Sequence, residues 1–182
     1  AQAAAMAMGR AMDDVIITAA SATAFTGETG ATSTAAQTAI AAGGAGLTIA
    51  KLRTAKQTFD LASVDPSIPR HIVVGPEQIT NLLSTTEVTS SDFNTVKALV
   101  QGEIDSFLGF KFTVSNRLAK SGNDRTCIAF AQDGITLAIG KDVSARIDER
   151  ADKSYATQVY YCQSIGATRM EEAKVLGIVC QE

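Results

Sequence analysis

The sequence predicts a mixed α+β fold, and three observations carry that reading. Ala5, Met8, Met12, Val15 and Ala19 recur at three- and four-residue spacing, the stripe of an amphipathic helix. The last third alternates apolar and polar residues in runs separated by turn residues, the pattern of half-buried strands. The chain has 182 residues, 46% hydrophobic and 19% charged, enough to bury a core of ordinary size. Aromatics reach only 5% and Trp is absent, so Ala, Val, Ile and Leu must build that core.

The first helix runs to about Ala20, with Arg10 placed to reach Asp13 and Asp14. From Ser21 to Gly46 the composition shifts to Thr, Ala, Ser and Gly without a period, which predicts a long loop that is mobile or differs between subunits. Helical character returns over 47–61, with Ile49, Leu52, Lys56 and Phe59 on one face and Lys51, Arg53 and Asp60 outside it. Pro66 and Pro69 bar its continuation. In "HIVVGPEQITNLL" His71 to Val74 read as a short strand. Pro76 then opens a helix bearing Ile79, Leu82 and Leu83. A further helix is expected over about 92–101, capped by Ser91 and ended by Gly102.

Phe110, Phe112 and Val114 alternate with Lys111 and Thr113 as a strand. "CIAFAQDGITLAI" reads as a hairpin about Asp133-Gly134. "DVSARIDER" and "SYATQVYYCQSIGATRM" read as two more strands, the second unusually long, and "AKVLGIVCQE" as the last. On the long strand Val159, Tyr161 and Ile165 share a face while Tyr160 and Cys162 point the other way, and one of the two faces is expected to cover the first helix through Met8, Met12 and Val15.

Charge and cysteines narrow the function classes. With 16 basic and 19 acidic residues the net charge is −3, which gives no general attraction for a polyanion. A basic face would need Arg117, Lys120, Arg125 and Arg146 to gather on one side. Cys127, Cys162 and Cys180 are widely spaced, without a CxxC pair, and read as small buried hydrophobes rather than zinc ligands. The uncharged run from Thr29 to Ala50 carries five Thr and four Gly, so it is read as a loop and not a membrane span. The opening "AQAAAMAMGRAMDDVIITAA" lacks an initiator Met and a helix cap. It reads as the middle of a helix, and the chain as the later part of a longer protein.

A search for chemistry returns little. His71 is the only histidine and no GxSxG elbow exists. "GETGAT" and "GGAGLT" lack the spacing of a phosphate loop. Glu103 and Asp105 could pair as catalytic carboxylates, but nothing places them in different environments. The charged run Arg146, Asp148, Glu149, Arg150, Asp152 and Lys153 mixes signs, which suits a solvated or intersubunit patch better than a site for a hard cation. No catalytic residue, cofactor or metal site is predicted.

The order of elements nevertheless resembles a family. An Ala-rich helix ending "RAMDDVIITAA" precedes a Thr/Gly loop and the step "HIVVGPEQITNLL". Then come "GEIDSFLGFKFTVSNRL" and the close "SIGATRMEEAKVLGIVCQE". This is similar to the major capsid protein of tailed bacteriophages, with the Hong Kong 97-type fold. The resemblance implies peripheral portions at 1–45 (the end of a spine helix and a mobile loop) and 141–182 (closing strands), with an axial portion at 46–140. The family's N-terminal arm and extended loop have no counterpart in this sequence.

The function implied is that of an icosahedral shell assembled in the host bacterial cytoplasm from identical subunits, as hexamers and pentamers, around a DNA genome. Scaffolding and portal proteins are implied as further partners, and packaged DNA as a weak, non-specific one; no membrane is involved. Alternatives are an encapsulin-like compartment subunit and a small acid-dependent hydrolase.

Overall fold

The computed structural model describes residues 2–30, 32–34, 40–84 and 106–182. The helix expected over 92–101, with Ser91, Gly102, Glu103 and Asp105, lies outside the described residues.

Helix α1 spans Gln2–Ser21. Its inward stripe is half-buried at Ala4, Met8, Ala11, Val15 and Ala19, and Ala5 stands outside it. The expected loop that follows is partly sheet. Strands β1 (Ala24–Thr26) and β2 (Thr32–Thr34) pair antiparallel. No apolar alternation announces them; β-branched threonines supply the strand preference and the glycines between them the turn. Farther on, Ile40 forms a parallel bridge to Ile178.

Helix α2 (Ile49–Leu61) starts where Thr48 caps it, its hydroxyl accepting from the Lys51 amide at 3.4 Å. The buried face is Lys51, Leu52, Ala55 and Phe59, which reverses the expected placement of two lysines: Lys51 is in and Lys56 is out. Strand β3 (Arg70–Val74) leads through Gly75 into α3 (Pro76–Ser84). After the two-residue β4 (Ser106–Phe107), β5 (Phe110–Val114) runs parallel to β3. A parallel pair needs a crossover connection, and α3 begins it.

Strand β6 (Lys120–Ser121) and the longer β7 (Asp124–Ala131) complete the middle of the chain. The Asp133-Gly134 turn does not make the expected hairpin. Strand β7 pairs with β3 on one side and with the last strand, β10 (Val175–Gln181), on the other. Strand β8 (Ile135–Arg150) pairs instead with β9 (Ala156–Arg169). The turn is tight, with the Gly134 amide donating to Ala131 O at 2.8 Å, but Gly134 O then accepts from the Met170 amide at 2.9 Å. That bond directs the chain out of one sheet and into another. A Cβ at Gly134 would lie 2.9 Å from the Lys174 carbonyl oxygen, so the crossing requires glycine. The two runs read as separate strands, "GITLAI" and "DVSARIDER", form one sixteen-residue strand. Register shifts between Ile139 and Lys141 and between Lys141 and Ser144 mark the join.

Six strands thus form one mixed sheet, ordered β10-β7-β3-β5-β4 with β6 paired to β7. Helices α2 and α3 close its core: Leu52, Phe59, Leu82, Ile72, Val74, Phe110, Leu176 and Ile178 are all fully buried. Phe59 and Phe110 meet with ring centroids 6.0 Å apart, and the Arg70 guanidinium lies 5.5 Å over the Phe59 ring. Besides the small β1-β2 pair, a separate sheet is the β8-β9 ribbon, with α1 packed along part of it.

Candidate functional site

The residues singled out in the sequence gather at the far end of the β8-β9 ribbon. Ser144 pairs with Cys162, Arg146 with Tyr160, Asp148 with Gln158 and Arg150 with Ala156. Because successive side chains of a strand point to opposite faces, Arg146, Asp148 and Arg150 share one face. Glu149 stands on the other with Ala145 and Ile147. A 3₁₀ turn over Ala151–Lys153 joins the strands, with Ser154 and Tyr155 in the left-handed region at φ 53° and 61°. All six charged candidates are exposed. Only Arg150 and Asp152 are ion-paired among them, with Arg150 Nε donating to Asp152 Oδ1 at 2.9 Å.

Apart from Glu149, the face of the ribbon that carries Ile147 is apolar at this end. Ile147 lies directly opposite Val159, and Ala145 opposite Tyr161. Nearer the sheet, the same face of β9 turns Gln163, Ala167 and Arg169 toward α1. Gln163 Nε2 donates to Met8 O at 3.4 Å, and Ala167 and Arg169 share a cleft with Val15 and Ala19. Helix α1 therefore covers one stretch of this face, as Met8, Met12 and Val15 predicted. Ile147 is 70% exposed and Val159 50% exposed. Tyr155 and Tyr160, near the same end, are exposed as well. A two-stranded ribbon with exposed aliphatic residues on one face and mixed charge at its end can bind another protein surface.

The basic residues do not make a common face. Arg117 forms a bidentate pair with Asp14 of α1, holding that carboxyl below its ordinary range. Lys120 and Arg125 both pair with Glu182. Arg146 is on the other sheet. Asp14, expected to serve Arg10 within the helix, thus fastens α1 to the turn after β5.

His71 stacks on Phe130 at 5.6 Å, and burial, then the nearby Lys111 charge, lowers its pKa. The cleft of about 450 Å³ beside α2 is lined by Lys56, Asp60, Arg70 and Leu108 among others. Two of its charged residues are spent on each other, Arg70 Nη2 donating to Asp60 Oδ1 at 2.8 Å. Among the described residues no group of three His, Cys, Asp or Glu is placed to hold a metal ion. No helix among them is long and apolar enough to cross a membrane.

Three interactions escaped the sequence reading. Buried Lys51 donates to the carbonyls of Ala45, Gly46 and Val179 at 2.7, 2.9 and 3.0 Å. Arg70 is buried against Phe59 and Asp60. Glu182 is the shared acceptor of Arg125, Lys120 and Gln78. Only Lys51 left a signal, lying next to Leu52 and four residues before Ala55 on the helix.

Solved structures share this architecture. That of Mycobacterium phage Che8 matches with a TM-score of 0.69 at 20% identity, over 97% of this chain and 61% of that one. The Cyanophage Pam1 capsid matches with a TM-score of 0.69 at 12% identity, over 99% and 67%. The capsid of Cyanophage P-SCSP1u matches with a TM-score of 0.66 at 15% identity, over 100% and 66%. Such identities show the fold alone, the Hong Kong 97-type capsid fold. The chain spans about three fifths of the length of the Che8 protein. No curated protein matches the sequence. The family model described as phage capsid protein matches residues 1–182, and the chain belongs to that family.

Proposed function

We propose that this protein is a major capsid subunit, a non-catalytic building block that self-assembles into an icosahedral phage shell around DNA. The observation that carries the proposal is the family match along the whole sequence, on a fold shared with phage capsids. The ribbon supports the same reading. It spends sixteen and fourteen residues on a two-stranded sheet whose outer part covers no core of its own. In this proposal Arg146, Asp148, Glu149, Arg150, Asp152 and Lys153 contact neighbouring subunits. Mixed charge sets register against a copy of the same surface, while the apolar face beside it supplies affinity.

The division into an axial portion at 46–140 and peripheral portions at 1–45 and 141–182 belongs to the same proposal. Five strands of the large sheet fall within 46–140, and α1 rests on the ribbon. Strand β10, from the last portion, completes the large sheet. Hexamers and pentamers of identical subunits, a scaffold and a portal, assembly in the host cytoplasm and loose contact with packaged DNA complete the proposal. Electron microscopy of the full-length protein expressed in bacteria tests it: uniform closed shells are expected. A strictly monomeric product would overturn the reading, and shells that load a protein cargo instead of DNA would favour the compartment alternative.

A further inference from the structure

The turn at the ribbon's tip presents an aromatic residue that its own fold leaves uncovered. Tyr155 is 72% exposed. It and Ser154 stand in the left-handed region at φ 61° and 53°, a conformation that residues with a side chain adopt at a cost. The Tyr155 amide donates to Arg150 O at 3.0 Å, which fixes the turn. Lys153, two residues away, is exposed as well.

A cleft of about 240 Å³ lies between α1 and the large sheet. Ile16 and Ile17 of α1 and Val73, Val114 and Phe130 of the sheet line it, and Asp13 is the one charged residue among its walls. Val114 is 56% exposed there. A chain cannot fill this cleft with its own tip. Val15 and Ala19 of α1 lie beside Ala167, eleven residues along β9 from Ala156 at the tip. At about 3.3 Å per residue that is roughly 36 Å.

We propose that Tyr155 of one subunit inserts into this cleft of a second copy, with Lys153 set beside Asp13. The contact rests on the capsid-subunit reading and gives the ribbon's end its partner surface. A ring with one polar tip suits apolar walls that also include Thr113 and Ser115, whose hydroxyls can partner the phenol. Charge selects between clefts. Arg150 and Asp152 are paired with each other, which leaves Lys153 the charge nearest Tyr155. The larger cleft beside α2 sets Lys56 and Arg70 against the single acid Asp60, and that excess of positive charge opposes a lysine. The cleft at Asp13 offers an acid alone. Tip and cleft are different surfaces, so each copy gives one tip and receives another, and such a heterologous contact forms a ring when its rotation closes.

Crosslinking tests this. Full-length protein carrying Cys162→Ser, Val114→Cys and Ser154→Cys is assembled, oxidised with copper phenanthroline and run on a denaturing gel without thiols. The expected product is a ladder of covalent multimers that dithiothreitol collapses, with no ladder when Val114→Cys or Ser154→Cys is present alone. Shells that give no ladder overturn the proposal. Covalent dimers from Ser154→Cys alone do so too, because tip would then meet tip. A charge exchange gives a second reading that needs no added cysteine. Asp13→Lys and Lys153→Asp should each raise the protein concentration needed for shells by about tenfold or more, and the two together should restore it. Normal assembly of either single variant, or no restoration in the double one, overturns the contact. In each of these outcomes shells from the natural protein leave the capsid reading standing, whereas a natural protein that builds no shell is the failure of that reading itself.

Discussion

The Glu182 carboxylate lies against the Arg125 guanidinium, and its side chain is only 4% exposed. Lys120 and Gln78 donate to the same carboxylate, the latter at 3.1 Å. One acid thus ties the final strand to β7, to β6 and to α3. The hydrogen bond from Arg125, followed by that from Lys120, lowers the carboxyl pKa from its ordinary 4.5 to about 2.

The pH dependence follows from that shift. A carboxyl whose pKa is depressed by folding contributes stability that is fully present above its unfolded pKa. The contribution is lost as pH falls from about 4.5 to about 2. Glu182→Gln should lower the melting temperature at pH 7 and flatten its fall across that acid window. A variant that melts at pH 7 with the natural protein, and loses stability in acid just as steeply, would show that the clasp is idle.

Lys51→Met should destabilise the fold by about 3 kcal/mol, because the three carbonyls that its amine serves lose their donor. The methionine fills the space, so the loss isolates the hydrogen bonds from packing. Urea unfolding followed by circular dichroism measures it. A change under about 0.5 kcal/mol, the range of an ordinary surface substitution, would sink the account.

How far these features could be read in advance depends on the range of the interaction. Helices α1, α2 and α3 were legible because apolar periodicity and Pro76 are local signals. The Asp133-Gly134 turn was legible as a turn and misleading as a hairpin. What decides its role is the Met170 amide and the Lys174 carbonyl, both more than thirty residues away. Glu182 was opaque for the same reason, since its partners come from distant segments, and so was the contact of Lys51 with Val179 O. The charged residues at the ribbon's end were legible as an exposed patch, because mixed signs without apolar alternation rarely face a core. Their neighbour Ile147 is the most exposed aliphatic of that strand, because alternation gives a face but not what lies over it.

Gly134→Ala follows from the same turn. The added methyl would meet the Lys174 carbonyl oxygen and Cβ at 2.9 Å, and the Ala131 oxygen at 3.1 Å. Two of these contacts are backbone, which cannot rotate away. The expected cost is about 1–3 kcal/mol. It should appear as a lower urea midpoint with an unchanged slope, whereas an equally stable variant would mean that the crossing between the sheets relaxes freely.

Met12→Asp probes the contact of α1 with the ribbon. Met12 is half-buried on a helix that packs along β9, so a carboxylate there loses apolar contact and is partly desolvated. A loss of about 1–3 kcal/mol is expected. An unchanged melting temperature would refute the packing.

The end of the ribbon calls for a substitution with the opposite signature. Ile147 and Val159 lie opposite each other in the register and are 70% and 50% exposed, so replacing either removes little that the isolated chain depends on. Burying such a side chain against a neighbour would contribute about 1.5–3 kcal/mol, repeated at every copy of the contact in a shell. Ile147→Asp should therefore leave the melting temperature of the unassembled protein within about 2 °C, the shift expected for a surface change of up to about 0.5 kcal/mol. Assembly should fail, or require far higher protein concentration. Arg150→Glu should act in the same direction more weakly, because exposed ion pairs contribute about 0–1 kcal/mol, and its effect should shrink in high salt. Light scattering and electron microscopy of the full-length protein carrying each change separate the two quantities. Normal shells from Ile147→Asp would remove the ribbon's end from the subunit interface, and a sharply lowered melting temperature would make it part of the fold's own core.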